Sequence, residues 1–212
     1  LVLLLFFKNK LISKFYLTFS ILVISALLSL SSTATAAEHN INQPPLKFES
    51  ISIAEGLSQS YVYDIVQDKN GFIWIATQDG LNRYDGKNFV YYRHDSTNRT
   101  SIADNFIRKL FIDNKNLGTN AGLSRYDETL DSFENFFHQT DDSSSLKDNE
   151  IWDIYQDQQN SILISTKTGL HKYDVENKNF SQIRIRGFNN ALKEIKTIYQ
   201  DKKGNYWLGT YD

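Results

Sequence analysis

The 212-residue sequence contains no cysteine. That excludes disulfides, thiolate metal sites and cysteine nucleophiles. It contains no methionine and begins at Leu1, which predicts a chain drawn from a longer translation product. It has no dominant charge: 23 basic against 25 acidic residues leave a formal net charge of −2. Such a balance gives no electrostatic footprint for nucleic acid. With 41% hydrophobic and 23% charged residues, the chain is neither disordered nor wholly membrane-embedded. Past residue 38 no long apolar run of helical period occurs, which argues against a helical repeat.

The N-terminus reads as an address. Residues 1–37 carry Lys8, Lys10 and Lys14 and no acid, then an apolar run Phe15–Leu30, then small residues ending Ala34-Thr35-Ala36-Ala37. A basic segment, an apolar segment and an A-x-A site form a signal peptide. Its apolar run is shorter than the ~20 residues that span a bilayer, so cleavage is expected, with an uncleaved signal anchor as the alternative. Without that segment, residues 38–212 hold 20 basic and 25 acidic residues. An exported chain without cysteine points to a bacterial envelope. Residues 38–56 are expected to form a linker and a first edge strand.

The rest is a repeat. Val62 to Asp68, Ile107 to Asp113, Ile151 to Asp157 and Ile195 to Asp201 each place an apolar opener six residues before an aspartate. The aspartates step by 45, 44 and 44 residues. Each unit continues to a Thr-x-x-Gly-Leu phrase: Thr77 and Gly80, Thr119 and Gly122, Thr166 and Gly169, with Thr210 opening the fourth. Tyr84, Tyr126 and Tyr173 follow. Within a unit, alternation over Val62–Val66, turn residues Asp68–Gly71, a β-rich run Phe72–Thr77, a turn at Gly80 and a hairpin signal at Asp85-Gly86 predict four short strands. Four strands in about 40–45 residues is the period of a β-propeller blade. The fold expected is all-β, a propeller of four-stranded antiparallel blades, with blades at about 57–101, 102–145 and 146–190 and a partial one at 191–212. Copy two is short, with six residues from Asp113 to Thr119 where the others have nine, so its second strand shrinks to Leu117–Thr119. In copy three Ser161 is expected to stand for Gly71, and Leu163 for Trp74.

The phrase D-x-x-G-x-x-W-[IL]-[GA]-T-x-x-G-L-x-[RK]-[YF]-D, carried from Asp68 to Asp85, resembles the two-component-regulator propeller repeat. The resemblance covers about residues 57–212. It implies the exported sensor region of a hybrid histidine kinase or a membrane-bound diguanylate cyclase, tethered to the inner membrane and facing the periplasm. It also implies further blades and a signalling module as partners within the same protein, and a homodimer at full length.

No catalytic constellation or cofactor motif appears, and no metal site is expected. His39, His94, His138 and His171 read as scattered and out of repeat phase. The D-x-x-G turns carry lysines where a calcium loop needs acids. Asp68, Gly71, Trp74, Asp157, Asp201, Gly204 and Trp207 read as structural anchors, as do the repeated threonines, glycines and tyrosines. The loops entering strand one and those joining strands two and three fall on one face of the ring. The first set carries Gln59, Ser60, Asp104, Asn105, Asp148 and Asn149. The second carries Gln78-Asp79, Asn120 and Lys167-Thr168. These amides, carboxylates and hydroxyls are expected to bind a small polar ligand or oligosaccharide; the competing assignment is that Asp-Asn caps the turn. Trp152 joins the candidates because Tyr63, Arg108 and Lys196 hold its place in the other copies. The alternatives to a sensor are a free exported propeller serving as a protein or carbohydrate scaffold and, more remotely, a propeller enzyme.

Overall fold

Hydrogen bonds of the repeated aspartate build each blade. Asp68 Oδ1 accepts from the Asn70 and Phe72 N–H groups at 2.9 and 3.0 Å, which closes the turn between strands one and two. Its second oxygen accepts from Trp74 Nε1 at 2.7 Å. Asp201 does the same for Lys203, Asn205 and Trp207. Bonds from the Asn205 and Trp207 side chains pull its carboxyl down to about 2. Asp157 closes its turn through Gln159 and Ser161, and the Tyr206 hydroxyl of the next blade takes the oxygen that Leu163 cannot use, at 2.8 Å. The turn also corrects an expectation. Gly71 and Gly204 sit at φ +89° and +86°, and in blade three Asn160, not Ser161, takes that left-handed position at φ +62°. Asparagine tolerates it through its short polar side chain.

The computed structural model describes residues 46–112, 117–119, 122–185 and 194–211. The expected signal segment at 1–37, Asp113 and Asn120 lie outside them. Blade one is an antiparallel meander of β1 (Val62–Gln67), β2 (Ile73–Thr77), β3 (Gly80–Tyr84) and β4 (Phe89–Tyr92). Blade two holds β5 (Lys109–Phe111), β6 (Leu117–Thr119), β7 (Leu123–Asp127) and β8 (Ser132–Phe136). Blade three holds β9 (Ile151–Gln156), β10 (Ile162–Thr166), β11 (Gly169–Asp174) and β12 (Asn179–Gln182). β13 (Ile195–Gln200) and β14 (Tyr206–Thr210) pair as a two-stranded sheet. The deletion in copy two shortens both of its inner strands to three residues. The expected edge strand is absent among the described residues 46–56. Ser52 instead caps a 3-10 turn, Ile53–Glu55, with the Glu55 carboxylate returning to the Ser52 N–H at 2.7 Å.

The sheets face one another, and the core lies between them. Trp74, Ala76 and Leu81 of blade one pack with Ile107, Leu110, Tyr126 and Phe133 of blade two. Leu123 packs with Ile154, Ile164, Tyr173 and Phe180 of blade three, and Leu163 and Leu170 with Ile195 and Ile198. Trp74 is 7% exposed, whereas Trp207, at the same repeat position, is 62% exposed. Trp74 is covered by Tyr92 from its own fourth strand and Tyr126 from the next blade. No third or fourth strand accompanies β14 among the described residues. Trp207 Nε1 donates to Asp201, as Trp74 Nε1 does to Asp68.

Strand one of each blade lies beside strand one of the next. Asp64 accepts from the Leu110 N–H at 2.9 Å, and Asp153 from the Ile198 N–H at 2.8 Å. Lys109, at the same position in blade two, lies 3.3 Å from Asp64 and 3.6 Å from Asp153.

Candidate functional site

The entry loops and the strand two–three turns interlock at one end of the sheets. Gly80 N–H donates to the Asn105 carbonyl at 2.6 Å, and Gly122 N–H to that of Asn149 at 2.7 Å. Glycine is required at both positions. A Cβ would stand 2.8 Å from the Tyr92 carbonyl oxygen at Gly80 and 2.6 Å from that of Phe136 at Gly122, each with φ +99°.

Most polar residues on this face are committed to the loops. Asp104 and Asp148 accept from the N–H two residues on, at 2.8 and 2.7 Å. Asn105 Oδ1 accepts from the His94 N–H at 2.7 Å and Asn149 Oδ1 from the His138 N–H at 2.6 Å. Gln59 Oε1 receives the Ser60 N–H and hydroxyl. Asp79 pairs with Arg93 at 3.0 Å. The capping role therefore accounts for both Asp-Asn pairs. Asn149→Ala is expected to cost about 0.5–1.5 kcal/mol, the net worth of one hydrogen bond; chemical denaturation checks it.

Two histidines do share a repeat phase. His94 and His138 lie 44 residues apart. Each places Nδ1 against a main-chain carbonyl, Ile102 at 3.0 Å and Leu146 at 2.7 Å. They belong to a second repeated segment, 94–105 and 138–149, which links one blade to the next. Its Ser101 and Ser145 make matching bonds to residues 95 and 139. The phase was readable in the sequence, but outside the phrase that first defines the repeat.

Trp152 is the predicted candidate that the structure surrounds with new partners. Pairing skips from Ile151 to Asp153, from Val62 to Asp64 and from Ile195 to Thr197. Trp152, Tyr63 and Lys196 are thus the extra residues of β-bulges, which re-aim a side chain away from the ladder. In blade two Arg108 immediately precedes the first paired residue, Lys109. These four converge. Arg108 Cζ lies 3.9 Å and Lys196 Nζ 2.9 Å from the centre of the Trp152 ring. Arg108 also lies over Phe106, whose ring meets Tyr63 edge-on at 4.9 Å. Lys196 lies 5.5 Å from the ring of Tyr211, which is 79% exposed. Trp152 Nε1 is buried with no hydrogen-bond partner. Sequence reasoning singled out Trp152 but not Tyr63, Phe106, Arg108 and Lys196. Their signal was a fixed position at which residue type keeps changing.

A groove of about 780 Å³ opens elsewhere, beside Arg99, Arg125 and Glu134. Glu134 there pairs with Arg125 and Lys178. Among the described residues no group of three or more acids or histidines converges as a metal site.

Residues 56–79, 145–168 and 192–212 match the two component regulator propeller family. These are two-component-regulator propeller repeats. The matched residues contain the Asp68, Asp157 and Asp201 turns, and the shortened blade two lies between matches. Over 56 residues the regulator propeller is 50% identical to histidine kinase P4 of Formosa agariphila, a stretch covering 26% of this chain and 4% of that protein. It also superposes on the extracellular domain assigned to a hybrid two-component system of B. thetaiotaomicron, with TM-score 0.68 and 26% identity over 76% of this chain and 24% of that one. A second extracellular domain, assigned to a one-component system of the same organism, shares the fold with TM-score 0.54 and 21% identity, over 73% of this chain and 21% of that one. The chain thus spans about a quarter or less of each relative's length. The matching family is a regulator propeller repeat, and the superposing domains are described as extracellular. No helix among the described residues is long and apolar enough to cross a membrane.

Proposed function

We propose that these blades form part of the periplasmic ligand-sensing region of a bacterial signalling protein. The protein is held in the inner membrane and drives a histidine-kinase or diguanylate-cyclase module. The observation that carries this reading is the 26% identity, over 76% of the chain, to an extracellular domain assigned to a hybrid two-component system. The signal segment at residues 1–37 supports export. The face of entry loops and bulges supports binding, because it gathers aromatic and charged groups at one end of rigid sheets.

The reading frame beyond Asp212 tests the proposal. It is expected to continue through further blades to a membrane-spanning helix and a kinase or cyclase module. A closed ring followed directly by the end of the protein would overturn it and favour a free exported scaffold.

A further inference from the structure

The junctions between successive blades are not built alike. Three residues past each strand-one opener stand Ile65, Leu110, Ile154 and Ile198. Asp64 serves the main chain of the first two. One oxygen accepts from the Ile65 N–H at 3.0 Å and the other from the Leu110 N–H of blade two at 2.9 Å. Asp153 repeats this with Ile154 at 3.0 Å and Ile198 at 2.8 Å. A carboxylate therefore bridges blade one to two, and blade three to the fourth sheet. Between blades two and three the bridging position holds Lys109, and an ammonium accepts no hydrogen bond.

At that junction the polar side-chain links among the described residues are ion pairs. Beside the first strands, Lys109 lies 3.6 Å from Asp153 and Arg108 3.5 Å from Glu150, with the Arg108 guanidinium over the Trp152 ring. Beside the fourth strands, Lys178 reaches Glu134 at 2.5 Å. The neighbouring junctions use uncharged donors as well. The Tyr92 hydroxyl donates to Asp131 across the first, and the Gln158 N–H to the Gln200 side chain across the third. The apolar seal differs too. Blade one buries Trp74, Ala76 and Leu81 against blade two, whereas blade two buries Leu123 against blade three, with Phe111 and Phe136 partly covered. All three junctions keep a main-chain bond between loops, which here joins Gly122 to Asn149.

We propose that the junction between blades two and three is a charge-locked hinge. The Gly122–Asn149 bond is its pivot, and the ion pairs at the inner and outer strands are its lock. Opening exchanges partly exposed ion pairs for water, which costs little. Opening either neighbouring junction would instead strip main-chain N–H groups of a carboxylate, a larger loss. Blades one and two thus move as one body, and blade three with the fourth sheet as another. Salt screens the lock and leaves the pivot in place, so ionic strength shifts the hinge toward its open form.

Spin-label distance measurements on the full chain test this, because a chain without cysteine takes labels only where they are introduced. Lys87, Thr129 and Glu176 lie exposed in the turns between strands three and four of the three blades. The pair Thr129→Cys with Glu176→Cys reports on the hinge, and Lys87→Cys with Thr129→Cys on the junction before it. Raising NaCl from about 0.1 to about 1 M, which shortens the screening length from about 10 to about 3 Å, is expected to widen the hinge distribution about twofold. The other pair is expected to stay unchanged. Arg108→Gln combined with Glu134→Gln cuts the lock at both ends and is expected to give the wide distribution already at low salt. Lys69→Gln, which removes an ion pair across the first junction, is expected to change neither pair. Melting curves verify that the variants fold; if the double variant does not, the salt series on the unaltered chain decides alone. Equal widening at both junctions would show general loosening and overturn the hinge. A hinge distribution unmoved by salt would overturn the lock, as would a folded double variant that matches the unaltered chain at low salt.

Discussion

Alanine at Trp74 is expected to destabilise the regulator propeller by about 3–5 kcal/mol, the range for emptying a buried aromatic site. The ring stacks on Tyr92 at 5.6 Å and meets Tyr126 edge-on at 4.9 Å. Arg83 lies over it at 5.5 Å and donates to the Tyr126 hydroxyl at 2.8 Å. Asp131 accepts from both the Tyr92 and the Tyr126 hydroxyls, and these bonds hold its carboxyl below the usual range. Removing the indole thus opens a cavity, loosens this polar cluster across two blades, and leaves Asp68 without its buried donor. Trp207→Ala makes the internal control. In the 212-residue chain the same residue at the same repeat position is mostly exposed, and there its loss is expected to cost under about 1 kcal/mol. Urea unfolding of both variants measures the difference. Equal losses at the two sites would show that blade stacking does not set the energetics.

The second large effect is acid destabilisation through His171. The side chain is fully buried on β11, and neither ring nitrogen reaches hydrogen-bond geometry with a partner. Burial pulls its pKa down from 6.5 to about 4, with the adjacent Ile164 main chain opposing the shift. A folded pKa below the unfolded one means that the unfolded chain binds the proton first. The neutral ring's stability is therefore complete above pH 6.5 and is lost as pH falls toward 4. The loss over that window is about 3 kcal/mol. Asn82 occupies the same repeat position and bonds to Ser58 and to the Ile75 carbonyl. His171→Asn is expected to remove most of the pH dependence between those limits. Unfolding free energies across that range, wild type against variant, decide it; an unchanged slope would acquit His171.

The blades were legible because their determinants are local. The Asp68 carboxylate, the Trp74 indole and the glycine or asparagine at the turn all act within a dozen residues, and the period repeats them. The site was legible only in outline. Asn105 and Asn149 sit on the predicted face, but their carbonyls and amides serve neighbouring loops, and only three-dimensional pairing reveals that. The bulge was invisible for a different reason. Alternation along Val62–Gln67 reads as an unbroken strand, and the extra residue shows only against the register of β2.

That extra residue also separates two kinds of inheritance. Val62, Ile107, Ile151 and Ile195 hardly vary among the copies within this one chain, whereas Tyr63, Arg108, Trp152 and Lys196 are four different residues. A bulged residue owes nothing to a cross-strand partner, so exchanging it leaves the ladder intact. Duplicating a blade therefore copies the scaffold and frees one adjustable side chain each time. A ring assembled this way can acquire a new recognition surface by single substitutions, each nearly neutral for folding, without renegotiating how its blades hold together.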